Sequence, residues 1–322
     1  MLKFLLCFYI GFILCLHRLY RIVNENREIG GSMDIRKFID KTMKGTVVGI
    51  AGFNIIIVFL IFLFILTNSV KFFHNVSITD FFFGKEWISL SDIYGLMPLF
   101  AGSLWVTMVA LIIAVPLSVI TAVYISEYAS SKKREGLKIL IETMSALPSV
   151  ALGYIGLYVF SEPIKNFFHL DTGLTALTGG IMLAFMAIPT IVSMADDAIR
   201  ALDKSYKEAS LALGANKLET IVKVILPAAF PGIFAGVMLG FGRIIGETMT
   251  VLMVTGNSPN LTASLLSPVR TMTATIAAEM GEVVQGSSHY FSLFAIGLVL
   301  FVISFITNTL GDYFIHKSRK GR

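Results

Sequence analysis

The sequence predicts an all-α integral membrane protein with six spans, and three observations carry that prediction. Of the 322 residues, 55% are hydrophobic and only 15% charged, whereas soluble domains average about 25% charged residues. Uncharged runs at 46–66, 99–126, 143–160, 174–195 and 291–310 reach or approach the ~20 residues that a helix needs to cross a roughly 30 Å hydrocarbon layer. A sixth run, 228–255, is apolar and glycine-rich apart from Arg243 and Glu247. Third, of the 26 Lys and Arg, all but Lys3 and Arg243 alternate between rich and poor connections: seven in 17–45, two in 67–97, four in 127–140, one in 161–173, five in 196–226, one in 255–290 and four in 316–322. That alternation fits six spans with both ends on the basic, cytoplasmic side. A nucleic-acid-binding face would not alternate in this way, so the net charge of +5 is not read as a sign of nucleic acid.

The organisation follows. Residues 1–45 hold an N-terminal hydrophobic segment and a basic lead-in, and 46–98 the first span and its external loop. Residues 99–315 form the transmembrane domain, with a cytoplasmic loop at 196–227, and 316–322 a basic tail. The apolar run 2–16 is short for a span and is broken by Lys3. Three readings stay open: an extra span, a signal-like leader, or upstream sequence ahead of a true start at Met33. Cys7 and Cys15 lie in this run with no cluster of His or Asp around them, so neither a disulfide framework nor a metal site is expected. In the loop 67–97, Trp87 and the phenylalanines at 72, 73 and 81–83 read as interface anchors or as a docking shoulder.

Pro116, Pro148, Pro189 and Pro227 each free a backbone carbonyl and kink a span. Glu142 lies at the cytoplasmic end of the run 143–160. In the loop that follows Ala195, Ser205 and Glu208 form a capping-box pattern that opens a short helix near Tyr206. Gly214 then suits the left-handed turn that ends it, and a second helix from about Lys217 runs until Pro227 interrupts it. Such a helix, apolar through Ala209, Leu211, Ala212 and Leu213, either inserts into a partner's groove or lies on lipid headgroups.

In the span 228–255, Gly232, Gly236 and Gly240 recur every four residues, as do Gly242 and Gly246, which allows close helix packing. Arg243 and Glu247, four apart and near mid-span, share one helix face and are within reach of each other. Charges there are costly unless they face protein or water. They form either a self-neutralising structural pair or a site where Arg243 offers an oxyanion a forked donor array while Glu247 holds the guanidinium. The loop 256–290, with Glu279 and Glu282, is available to an external partner.

No G-x-x-x-x-G-K-[ST] loop occurs, and the five histidines (17, 74, 169, 289, 316) fall outside the spans or at their ends. Neither an ATP grip nor an intramembrane enzyme centre is therefore expected, and no cofactor is required.

Glu208-Ala209-Ser210, Gly214, Val224 and Leu226-Pro227 resemble the EAA loop of binding-protein-dependent ABC importer permeases, with Ser210 for the usual second Ala and Val224 for Ile. The resemblance implies a type I permease bundle in which this loop is the coupling helix, seated in a cleft of an ATP-binding subunit. The stretch from Gly240 to Asn257 resembles phosphate-transport permeases, of the PstC type rather than the PstA type, and the likeness extends from about Gly102 through Glu127-Tyr128, Pro148-Ser149-Val150, Ile188-Pro189, Asp196-Asp197 and Ser264 to Ala278. It implies a bacterial inner-membrane location, phosphate as substrate, and Arg243 and Glu247 on its pathway. The implied partners are a homologous permease of the PstA type, two cytoplasmic ATP-binding subunits, a periplasmic or lipid-anchored phosphate-binding protein, and membrane lipid. The alternatives are another oxyanion such as sulfate or molybdate, or a signalling role in phosphate sensing.

Overall fold

A computed structural model of the chain describes residues 33–320. The run 2–16 with its two cysteines, and the readings placed on it, lie outside the described residues. The chain divides into two compact units, one ending at Ile61 and the other starting at Phe62. Helix α1, Met33–Phe73, crosses that boundary, and its apolar part, Thr42–Phe73, is long enough to span.

The second unit carries the rest of the fold. After α2, Ile78–Phe83, a two-stranded ribbon pairs β1, Trp87–Ile88, with β2, Ile93–Tyr94, in antiparallel register, Trp87 opposite Tyr94. Next come α3, Met97–Tyr128, and the bent pair α4, Ser131–Ser145, and α5, Ser149–Phe168. Then follow α6, Ala176–Arg200, the short α7, Lys204–Ala212, and α8, Lys217–Ile245. The chain ends with α9, Met249–Val254, α10, Met272–Glu279, and α11, Ser288–Lys320. Among the described residues five helices are long and apolar enough to cross a membrane, and the bent pair makes six if it counts as one span.

That bent pair corrects the expectation of one span over 143–160. α4 and α5 meet at 91°, so the run 143–160 is divided between two helices and Glu142 belongs to the first, nearly perpendicular to the second. Leu147 precedes Pro148, whose ring disfavours helical geometry at the residue before it, and Pro148 then stands at the N-cap of α5 in extended conformation.

Buried α6 is the centre of the unit, with α3 against one side and α8 against another, and α11 packs on α8. Between lipid-solvated spans the hydrophobic effect gives little drive, so close approach of small residues does the work. Ala110 and Ala114 of α3 are fully buried against Met182, Leu183, Ala187 and Ile191 of α6. A Cβ on Gly180 would lie 2.4 Å from Cγ1 of Val109, so these two spans touch where no side chain can be fitted.

A second core, at the far end from α7, gathers Phe72, Phe81, Trp87, Tyr94, Leu99, Met272 and Ile296. Phe72 and Phe81 meet edge to face at 5.3 Å, as do Trp87 and Tyr94 at 5.5 Å. Trp87 is therefore a core residue and not an interface anchor, and the reason is its indole N–H: it donates to the carboxylate of Glu279. Glu279 in turn is bound 2.7 Å from Arg270 and 2.7 Å from His289. It knits the loop together and is only 14% exposed, which removes it from the residues available to an external partner. Burial, together with the hydrogen bond to Asp92, raises the phenol of Tyr94 well above its ordinary range.

Candidate functional site

The loop after α6 folds as helix, turn, helix. Its opening cap is Asp203, not Ser205: the Asp203 carboxylate accepts from the backbone N–H of Ser205 at 2.9 Å, and that bond holds its pKa below the ordinary value. The capping box exists at the start of the next helix. Asn216 accepts from the N–H of Glu219 while Glu219 accepts from the N–H of Asn216, opening α8. Gly214 sits between the helices at φ +84°, a left-handed conformation that only glycine adopts without strain.

Ser210 is more than a mild replacement. It is buried, and its hydroxyl lies 3.0 Å from that of Thr220, itself fully buried, so a hydrogen bond closes the turn. Glu208, Ala209 and Gly214 are exposed, and Leu213 (89%), Leu218 (64%) and Val222 (53%) present apolar surface beside them.

Pro227 does not interrupt the second helix. Residues Ile221–Ile225 form a π turn in which the N–H of Leu226 reaches the carbonyl of Ile221. The widened turn re-registers the ladder, so that Leu226 and Pro227 open a fresh α segment where a missing N–H costs little. Val224 lies within the π turn.

Gly232, Gly236 and Gly240 face α6. A Cβ at these positions would lie 2.5 Å from Cβ of Ala198, 2.7 Å from Cβ of Met194 and 2.7 Å from Cγ1 of Ile191. Gly242 and Gly246 do not share that role. The nearest atom to a Cβ on Gly242 is Asn308 Oδ1 at an ordinary 3.8 Å, and Gly246 meets only its own helix at 3.3 Å.

The span 228–255 is not one helix, and this changes the relation of Arg243 to Glu247. α8 ends at Ile245 with Gly246 as its C-cap. Arg243 thus lies in the last turn, Glu247 lies in the break, and no ion pair joins them among the described residues. Instead Arg243 donates through Nη1 to Thr190 Oγ1 of α6 at 3.0 Å and through Nη2 to the carbonyl of Ser145, the last residue of α4, at 3.4 Å. Glu247 Oε1 accepts from the N–H groups of Met249 and Thr250 at 3.1 and 3.2 Å. The Thr250 hydroxyl lies 3.3 Å from that oxygen and 3.0 Å from the carbonyl of Ser149. Each charge therefore sits where a helix dipole favours it: the cation at the carboxyl ends of α8 and α4, the carboxylate at the amino end of α9. The break lets both be stabilised separately, whereas a continuous helix would have left them only each other.

Glu247 also borders a cavity of about 10 Å³ lined by Ser103, Thr107, Thr271 and Thr273, and Thr273 donates to its backbone carbonyl at 2.7 Å. Two bonds engage two of the five N–H donors of the Arg243 guanidinium. Among the described residues no group of three His, Cys, Asp or Glu could hold a metal ion. Sequence reasoning missed Thr190 and Ser145, because nothing local marks a threonine or a carbonyl as the partner of an arginine some fifty or a hundred residues away.

Residues 114–320 match the model of the binding-protein-dependent transport system inner membrane component family. A probable ABC transporter permease protein of Bacillus subtilis is 40% identical over 213 residues, 66% of this chain and 69% of its own. The phosphate transport system permease protein PstC of Xylella fastidiosa is 32% identical over 70% of this chain and 75% of its own. A probable phosphate transport system permease protein PstC of Methanocaldococcus jannaschii is 29% identical over 90% and 98%. Among solved structures, a chain of a bacterial alginate ABC transporter in complex with its periplasmic protein superposes with TM-score 0.57 at 15% identity, covering 89% of this chain and 96% of that one. A chain of an inward-facing methionine ABC transporter does so with TM-score 0.50 at 16% identity, covering 70% and 94%. These two share the fold.

Proposed function

Since the chain belongs to the binding-protein-dependent transport system inner membrane component family, and is thus a multi-pass permease component and not an enzyme, we propose that it is the membrane-spanning subunit of an ATP-driven importer of inorganic phosphate. In this reading residues 99–315 form the permease domain and 196–227 its coupling loop, both termini face the cytoplasm, and the membrane is a bacterial inner membrane. A homologous permease completes the pathway, two ATP-binding subunits receive the exposed face around Glu208, Ala209 and Gly214, and a phosphate-binding protein delivers the anion from outside. ATP-driven closure of those subunits displaces α7 and turns the cavity outward.

The observation that carries the substrate reading is Arg243: a fixed guanidinium, half-buried at a junction of three helices, with donors to spare. Phosphate rather than another oxyanion is supported by the relatives named for phosphate transport. Arg243 meets the anion with the N–H donors that Thr190 and Ser145 leave unused, and its two existing bonds keep the guanidinium in place. Glu247, anchored to α9, keeps a negative charge nearby that limits how long the anion stays.

The test is uptake of labelled phosphate by cells carrying the parent chain or Arg243→Gln, with membrane insertion and co-purification of the ATP-binding subunit measured in both and sulfate as control. Glutamine can still bond Thr190, so assembly persists while phosphate uptake falls at least about a hundredfold, the order expected when a charged anion loses its one fixed cation. Uptake retained at the parent level shows that Arg243 is a packing residue.

A further inference from the structure

The carboxyl end of α3 unwinds into a π turn, Tyr124–Tyr128, closed by the N–H of Ala129 on the carbonyl of Tyr124 at 2.9 Å. Such turns inside longer helices collect at functional positions. Two adjacent residues of this one reach different elements. Ser126 donates to Asp196 of α6 at 2.7 Å, and Asp196 also lies 3.9 Å from Arg134 of α4 and 3.7 Å from Arg200. Glu127, only 10% exposed, forms an ion pair with Lys207 of α7. Lys217, which opens α8, donates to the backbone carbonyl of Glu127 at 2.7 Å and holds its ammonium 3.9 Å over the ring of Tyr128.

α7 is otherwise attached weakly. It packs on the opening turns of α8, where Ser210 meets Thr220, and its outer face is exposed. Among the described residues Lys207–Glu127 is the only ion pair between α7 and a span. Besides the short chain connections to α6 and α8, a displacement of α7 thus has two side-chain routes into the bundle: into α8 through the Ser210–Thr220 bond, and into α3 through a charge-assisted bond whose carboxylate is largely enclosed. Both α3 and α8 pack against α6.

We propose that Glu127 is the positioning residue that carries the movement of α7 into α3, so that α3 and α8 shift together when α7 is pushed. The inference rests on the reading of α7 as the element that docks on the ATP-binding subunits. It requires no contact between Glu127 and substrate.

The experiment uses the complete transporter, reconstituted in liposomes with its binding protein, and records phosphate uptake and ATP hydrolysis together. Glu127→Gln keeps the shape of the side chain and lowers uptake per ATP about tenfold, equivalent to about 1.4 kcal/mol of coupling, with the ATP-binding subunits still bound. Lys207→Glu does the same. Combining Glu127→Lys with Lys207→Glu restores the ratio, which a merely structural role for either residue would not do. A second readout needs no substrate: spin labels on the exposed Ile120 of α3 and Val222 of α8 keep their separation when ATP is trapped in the parent, where the two spans shift together, and change it in Glu127→Gln, where α8 moves without α3. If the parent imports no phosphate, the substrate reading fails and the label distances still decide the role of Glu127. Unchanged uptake per ATP and a label separation in Glu127→Gln that behaves as in the parent, or a charge swap no better than the single variants, overturn the inference.

Discussion

Replacing Gly232 by alanine forces α8 away from α6, and the size of the effect can be worked out from the contact. The new methyl would stand 2.5 Å from Cβ of Ala198, against a normal carbon–carbon contact of about 3.5–4.0 Å. Ala198 Cβ is fixed to its backbone and cannot rotate away, so the two spans must part by about 1 Å over this stretch. Overpacking of that kind costs about 1–3 kcal/mol. The same substitution at Gly242, in the same helix, meets nothing nearer than 3.8 Å, so it adds a methyl without strain. Both replacements change intrinsic helix preference equally, and the difference between them isolates packing. The expected gap is about 2 kcal/mol, Gly232→Ala being the less stable, read from thermal unfolding of the detergent-solubilised chain by far-ultraviolet circular dichroism. If Gly232→Ala unfolds at or above the temperature of Gly242→Ala, close α6–α8 contact is not what these glycines provide.

The loop offers two further predictions, beside the Arg243 and Glu127 variants above. Ser210→Ala leaves the buried Thr220 hydroxyl without its partner and costs about 1–3 kcal/mol, while adding Thr220→Val to it recovers most of the loss; a double-mutant cycle on thermal stability shows whether the two hydroxyls are coupled. Asp203→Ala frays the start of α7, and because the Asp203 carboxyl has a lowered pKa in the folded chain, its contribution is present above the ordinary carboxylate pKa and is lost as pH falls through the lowered value. Hydrogen exchange of the amides at 204–206, compared between parent and variant, should therefore differ at neutral pH and converge in acid.

How much of this was legible in advance varies from one feature to the next. Gly214 could be placed in a left-handed turn because its conformation follows from the residue type and its neighbours. The capping box was assigned to the wrong pair, since Ser205 with Glu208 and Asn216 with Glu219 fit the same pattern, and only the fold shows which N–H groups lack partners. The spacing of Arg243 and Glu247 implied a shared helix face, but the spacing rule holds only while the helix continues. Here Gly246 ends it, and the carboxyl of Glu247 starts the next one. Trp87 resembled an interface anchor because an aromatic in an external loop usually is one. What buries it is the core around Phe72 and Tyr94, and what satisfies its N–H is Glu279, nearly two hundred residues away.

Which runs are apolar and long enough to cross a membrane was decided by the sequence alone, because partition into hydrocarbon depends on the length and polarity of each run and little else. Which polar groups meet was decided only by the tertiary structure. A guanidinium or carboxylate in a low-dielectric bundle takes whatever helix ends, hydroxyls and carbonyls the packing brings near. That choice turned Arg243 toward Thr190 and Ser145, Glu247 toward α9, and Glu127 toward Lys207.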